Sequence, residues 1–152
     1  GSHDHRGTPE RPGRVVTLVP SPGTLCLGMA YRVEAPVLAQ LDHREKNGYE
    51  RRACRIHLRE HGRVTGGIVY IAASDNHAFL GPAEPAVLAR HIAGASGPSG
   101  SNADYLLQLA DALRTLGDED DHVMQLAALL RGPPAPDDRG EADPALYGAD
   151  SV

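Results

Sequence analysis

Between Arg52 and Arg59 the chain alternates strictly, with Ala53, Arg55, His57 and Arg59 on one parity and Cys54, Ile56 and Leu58 on the other. A period of two marks a strand with one packed face and one wet face. Later in the chain the period changes. Leu106, Leu109, Leu113 and Leu116 recur at steps of three and four, and Val123, Leu126, Ala127 and Leu130 repeat the pattern. These are narrow apolar seams of helices that face a core. A chain with both periods in separate regions is confined to an α+β architecture, in which strands gather in one place and helices cover them.

Further strands are expected. Arg14 to Val19 is rich in β-branched residues, Thr24 to Arg32 fits a strand packed on both faces, and Ile68 to Ala73 reads as a buried strand. We therefore expect strands around Val15, Cys26, Ile56 and Val69 in a small curved sheet or barrel, flanked by helices around Val37, Leu88, Leu109 and Leu126. Ala35-Pro36 can open the first helix, with Pro at the first helical position. His91 falls on or beside the apolar face of the second and reads as a core or boundary histidine. Gly117 stops the third, and Asp118 to Asp121 gives the fourth an acidic first turn. One domain is expected over residues 1–131, followed by a disordered tail over 132–152 that is rich in Pro, Asp, Gly and Ala.

Composition narrows the function. A formal net charge of -5 gives no electrostatic reason for a nucleic-acid or anionic-membrane partner, and 4% aromatics without Trp leave few platforms for stacking bases. The apolar runs are too short to span a bilayer, so the expected compartment is the cytoplasm. Cys26 and Cys54 fit two reduced core thiols better than a disulfide or a zinc site. His3-x-His5 lacks the remaining ligands of a metal motif and reads as a polar turn. Gly1-Ser2-His3 admits two readings, native sequence or the remnant of a purification tag. Oligomeric state is not legible.

The densest chemistry lies in Leu41-Asp42-His43-Arg44-Glu45-Lys46-Asn47-Gly48-Tyr49, where every side chain from Asp42 to Lys46 is ionisable. A solvated helix end is the plain reading, since Arg44 and Lys46 complement the helix dipole and Asn47-Gly48 tolerate left-handed geometry. A second concentration is the glycine-rich run from Gly94 to Gly100, which feeds Ser101-Asn102-Ala103-Asp104, a helix start. Such a loop can bind an anion through free backbone N–H groups. Without a closing Gly-Lys-Ser/Thr it is not a nucleotide loop in the usual sense, and Ser99 to Asn102 reads first as loop and cap.

In wording, the Leu41 to Tyr49 run resembles the signature segment of the ChaC-type gamma-glutamylcyclotransferases, with His43 in place of an aromatic residue and Asn47 in place of a glycine. The resemblance extends, in order, through Gly1-Ser2-His3-Asp4-His5-Arg6-Gly7-Thr8-Pro9, the strands from Arg14 and Thr24, Asp75-Asn76-His77-Ala78-Phe79-Leu80-Gly81-Pro82-Ala83, and Gly97-Pro98-Ser99-Gly100 with Tyr105. His77 and Phe79 stand where the family pattern has proline and tyrosine. The resemblance implies a gamma-glutamylcyclotransferase-like fold and cleavage of glutathione to 5-oxoproline and cysteinylglycine. It implies Glu45 as the catalytic acid/base, with Tyr49, Ser99, Asn102 and Tyr105 as substrate contacts. No metal or cofactor is implied, because nucleophile and electrophile lie in one substrate molecule.

The chemistry needs a proton carrier, and a glutamate that titrates near about 4.3 in water works best if burial raises its pKa. Arg44 and Lys46 oppose that rise, so both are expected to point outward. The family pattern also opens with a Tyr-Gly-Ser-Leu loop that holds the γ-glutamyl group, and this chain contains no such run. The expectation is a fragment with little activity by itself, or a chain that has lost catalysis and serves as a binding or regulatory domain of the same fold.

Overall fold

The computed structural model describes residues 1–45, 48–60, 62–72 and 75–132. The expected tail lies almost wholly outside the described residues. Helix α1 (Ala35–Arg44) leads into an antiparallel hairpin of β1 (Tyr49–Leu58) and β2 (Arg63–Ala72), paired in register from Tyr49 with Ala72 to Leu58 with Arg63. Helix α2 (Pro85–Ala93) follows. A two-residue ladder of β3 (Ser96–Gly97) and β4 (Gly100–Ser101) then feeds α3 (Asn102–Leu116) and α4 (Asp121–Arg131).

Local chemistry explains the element ends. Pro stands in the first turn of both α1 and α2, where its missing N–H costs nothing. Ser101 Oγ accepts from the Asp104 N–H at 3.0 Å, and Asp120 Oδ1 accepts from the Val123 N–H at 2.9 Å, capping α3 and α4. Gly117 ends α3 at φ 73°, a left-handed turn that a side chain would strain.

The core is helical. Leu88, Ala89 and Ile92 of α2, Leu106 and Ala110 of α3, and Val123, Leu126 and Ala127 of α4 form one buried cluster, with Leu107, Leu109, Leu113 and Met124 packed around it. In the hairpin Cys54, Ile56 and Leu58 are half-buried while Ala53, Arg55 and His57 are exposed, the alternation expected from the sequence.

The strand expectation holds for Ile56 and Val69 and fails for Val15 and Cys26. Residues 14–33 form no strand, and the sheets are two small antiparallel pairs rather than a closed barrel. The reason is the lack of a ladder partner among the described residues. Side chains take over part of that role: Asn102 Oδ1 accepts from the Arg14 N–H and Asn102 Nδ2 donates to the Arg14 carbonyl, both at 2.6 Å. Tyr105 Oη accepts from the Val16 N–H at 3.2 Å, and Thr17 Oγ1 accepts from the Ala72 N–H at 2.9 Å. Residues 14, 16 and 17 are thus strapped to α3 and β2, while Val19, Leu25, Met29 and Tyr31 stand exposed. Cys26 is exposed as well, so only Cys54 of the two free thiols is partly covered, against the expectation of two core thiols. His91, half-buried, holds the Pro12 carbonyl at 2.6 Å from Nε2.

Candidate active site

Glu45 caps the C-terminal end of α1, its N–H bonded to the Leu41 carbonyl at 2.8 Å and its own carbonyl accepting from the Tyr49 N–H at 3.2 Å. The helix end is fixed to the hairpin through Asp42. Its carboxylate accepts from Arg51 Nη1 at 2.7 Å and from Tyr70 Oη at 2.6 Å. These contacts, with the bond from the Tyr49 N–H, anchor the helix end that carries the Glu45 side chain, which is only 23% exposed.

Arg44 does not turn away. Its Nε and Nη2 both donate to Glu45 Oε1, at 3.0 and 2.9 Å. The expectation that it points outward is corrected on this point: the guanidinium is 62% exposed, so it stays hydrated while neutralising a mostly covered carboxylate. Lys46 and Asn47 lie outside the described residues.

Glu45 opens onto a cavity of about 690 Å³ whose wall also carries His3, Asp4, His5, Arg6, Val15, Arg44, Tyr49, His77, Ser99 and Tyr105. Tyr49 supplies a phenol whose pKa is raised by burial, and by the neighbouring Tyr105 and Glu45. Burial likewise raises that of Tyr105, against the opposing Val16 N–H bond and the Arg6 charge. Both phenols are therefore neutral O–H groups at ordinary pH. A smaller cavity of about 150 Å³ adjoins through Tyr49, lined by Arg14, Thr17, Asn76 and Phe79. Arg14 donates from Nη1 to the Gly81 carbonyl at 2.6 Å, while its buried Nε has no partner among the described residues.

The loop bearing Ser99 is pressed against the first residues of the chain. Ser99 N–H donates to the His5 carbonyl at 2.9 Å, and His5 Nδ1 lies 3.2 Å from Ser99 Oγ. A Cβ on Gly97 would stand 2.6 Å from the Gly7 amide nitrogen, so only glycine permits this approach. Ser2 is buried and exchanges both backbone bonds with Gly13, at 2.7 and 2.8 Å, while its Oγ accepts from the Arg6 N–H at 3.0 Å. Arg6 in turn lies 5.7 Å above the Tyr105 ring and donates from Nη1 to the Ser101 carbonyl at 3.2 Å.

Of the five site residues expected from the sequence, the structure brings Glu45, Tyr49, Ser99 and Tyr105 to one cavity. Asn102 is set apart from the lining. It is fully buried, and its amide is committed to the Arg14 backbone.

A family model described as "ChaC-like protein" matches residues 1–132. The chain belongs to the ChaC family. It is 39% identical over 142 residues to Gamma-glutamylcyclotransferase 2-3 of Arabidopsis thaliana, covering 86% of this chain and 71% of that protein. It is 38% identical over 121 residues to Glutathione-specific gamma-glutamylcyclotransferase 1 of Danio rerio, covering 75% and 62%. This ChaC chain therefore spans about two thirds of the length of the curated relatives it matches. The crystal structure of the yeast gamma-glutamylcyclotransferase specific to glutathione superposes with a TM-score of 0.67 at 27% identity, over 86% of this chain and 80% of that one.

Within this ChaC cavity, sequence reasoning passed over Arg6 and His5 as wall residues. Both come from an irregular segment, where no periodicity announces a facing direction. The available signal was the packing of ionisable groups in Asp4-His5-Arg6 beside glycines that allow close backbone approach.

Proposed function

We propose that this protein is a glutathione-cleaving gamma-glutamylcyclotransferase of the cytoplasm, with Glu45 as its acid/base. The observation that carries the reading is the mostly covered Glu45 carboxylate opening onto one cavity with Tyr49, Ser99 and Tyr105. The names of its relatives in Danio rerio and Saccharomyces cerevisiae, both glutathione-specific gamma-glutamylcyclotransferases, support the substrate. No helix among the described residues is long and apolar enough to cross a membrane, and both thiols are free, which supports the compartment.

The substrate's α-ammonium gives protons to Glu45, and the freed nitrogen attacks the γ-carbonyl carbon of the same molecule. The bond from that carbon to the cysteine nitrogen breaks, and Glu45 delivers protons to the departing nitrogen. The products are 5-oxoproline and cysteinylglycine. The protons lost by the ammonium are those gained by the leaving amine, so Glu45 ends as it began, and no cofactor is consumed. Arg44 engages Oε1, so in this reading Oε2 carries the proton. The wall's contribution is orientation: holding amine and carbonyl in register can account for about 7–11 kcal/mol of the barrier in a well-aligned intramolecular reaction.

The test is release of cysteinylglycine from glutathione by the wild-type protein and by Glu45→Gln, which keeps size and removes proton transfer. The expected result is low but measurable turnover by the former, since the chain contains no Tyr-Gly-Ser-Leu run, and a further loss of about a hundredfold or more in the latter, at unchanged melting temperature. Retained turnover in Glu45→Gln would falsify the assignment. Glutathione binding without turnover by the wild type would make the protein a binding domain of the same fold.

A further inference from the structure

We propose that Arg6 is the residue that holds the glycine carboxylate of glutathione, and so makes the site select the tripeptide over shorter or esterified γ-glutamyl compounds. The inference rests on the proposed function and adds the group that reads the far end of the substrate.

Two arginines line the cavity, and their situations differ. Arg44 has Nε and Nη2 committed to Glu45. Arg6 is held by neutral partners, the Ser101 carbonyl and the Tyr105 ring face. Asp4, the other carboxylate of the wall, stands 4.0 Å from His5 Nε2. A guanidinium presents five N–H donors in a fixed plane. With one edge on Ser101 and its charge centre above Tyr105, Arg6 has a further edge for an incoming carboxylate in paired geometry.

Position selects which carboxylate. Glu45 lies at the C-terminal end of α1, whereas Arg6 is tied to Ser101, the N-cap of α3, so different elements bring the two into the wall. Arg6 sits over the Tyr105 ring, and Tyr105 and Tyr49 share the wall with Glu45. The substrate amine must reach Glu45 for proton transfer, which brings the scissile amide to that end. From there an extended cysteinylglycine reaches about 7 Å further and ends in a carboxylate. The α-carboxylate of the γ-glutamyl group, next to the amine, stays at the Glu45 end.

The experiment compares glutathione with its glycine ethyl ester and with γ-glutamylcysteine on the wild type, Arg6→Gln and Arg6→Lys. Rates are measured on the proteins themselves, and equilibrium binding by calorimetry on the same variants carrying Glu45→Gln. For the wild type, kcat/KM and affinity should favour glutathione over the ester and over γ-glutamylcysteine by about tenfold or more. In Arg6→Gln that preference should vanish, through a rise in KM for glutathione with kcat nearly unchanged, while Arg6→Lys restores part of it. Arg6→Gln weakening all three ligands equally, with the preference intact, overturns the proposal. If Arg6→Gln fails to fold, the Arg6→Lys comparison decides, because a retained full preference with a displaced charge excludes a paired contact. Absence of wild-type turnover would overturn the proposed function alone, since the binding comparison needs no reaction.

Discussion

Replacing Asn102 by alanine should destabilise the protein by about 2–4 kcal/mol, although the side chain itself lines neither cavity. The structure sets the magnitude. Asn102 makes two bonds of 2.6 Å to the backbone of Arg14, one as acceptor and one as donor, and is fully buried. A bond of this kind contributes about 0.5–1.5 kcal/mol net, and a covered backbone group left without a partner costs about 1–3 kcal/mol. Water can reach the half-buried Arg14 in part, which holds the total below the sum of the extremes. Against a typical domain stability of about 5–15 kcal/mol the loss is large. Urea unfolding followed by helical circular dichroism measures it: at a slope of about 2 kcal/mol per molar, the midpoint should fall by about 1–2 M. Asn102→Asp is the sharper control. It keeps an acceptor for the Arg14 N–H, sets a second acceptor against the Arg14 carbonyl, and buries a charge, so it should be at least as damaging. A loss below about 1 kcal/mol in the alanine variant would show that residues 14–17 are not held through Asn102. The folded fraction of either variant should keep the wild-type KM for glutathione.

Gly97→Ala should disturb the cavity more than the core, because its Cβ would meet the Gly7 backbone; KM for glutathione is expected to rise while the helical melting transition shifts little, and an unchanged KM would refute the close approach. Tyr49 and Tyr105 both have raised pKa values, mainly from burial, so the neutral phenol is the form the fold favours. The stability from this source is present below the unfolded pKa of about 10 and is lost as pH rises through the higher folded values. Tyr49→Phe and Tyr105→Phe should each flatten the alkaline fall in denaturation free energy above about pH 10, and slopes equal to the wild type would count against their burial.

What could be read from the sequence follows the range of the interactions involved. The four helices rest on apolar residues at helical spacing, α3 also on the start at Ser101 and α4 on the acidic turn from Asp118 to Asp121; all are local, and all four helices are present in the structure. The β1–β2 hairpin was legible for the same reason, since alternation from Ala53 to Leu58 fixes which face turns inward. Arg14 to Val19 has the composition of a strand, but strand formation depends on a neighbour, and composition does not specify one. The Asn102 to Arg14 bonds join residues far apart in the chain, so Asn102 read as a loop-end contact when it is a buried brace. The Arg44 direction was missed because a charge beside a half-covered carboxylate has two favourable outcomes, hydration or pairing, and only the geometry of the α1 end selects between them. The wording of its segment singled out Glu45, and the structure places that residue in the cavity wall.

The buried apolar cluster is drawn wholly from α2, α3 and α4, whereas the cavity wall is built mainly from the first residues, the α1 end and connecting loops. Opening events should therefore come in two sizes. Amides of α3 and α4 should exchange with solvent only through global unfolding, while those around Glu45 and His77 exchange through smaller excursions at lower free energy. A protease or an oxidant would meet the wall first and leave the helical unit standing. The same division frees the walls to vary: His77 in the larger cavity and Phe79 in the smaller alter what each offers a ligand without removing a side chain on which the helices depend.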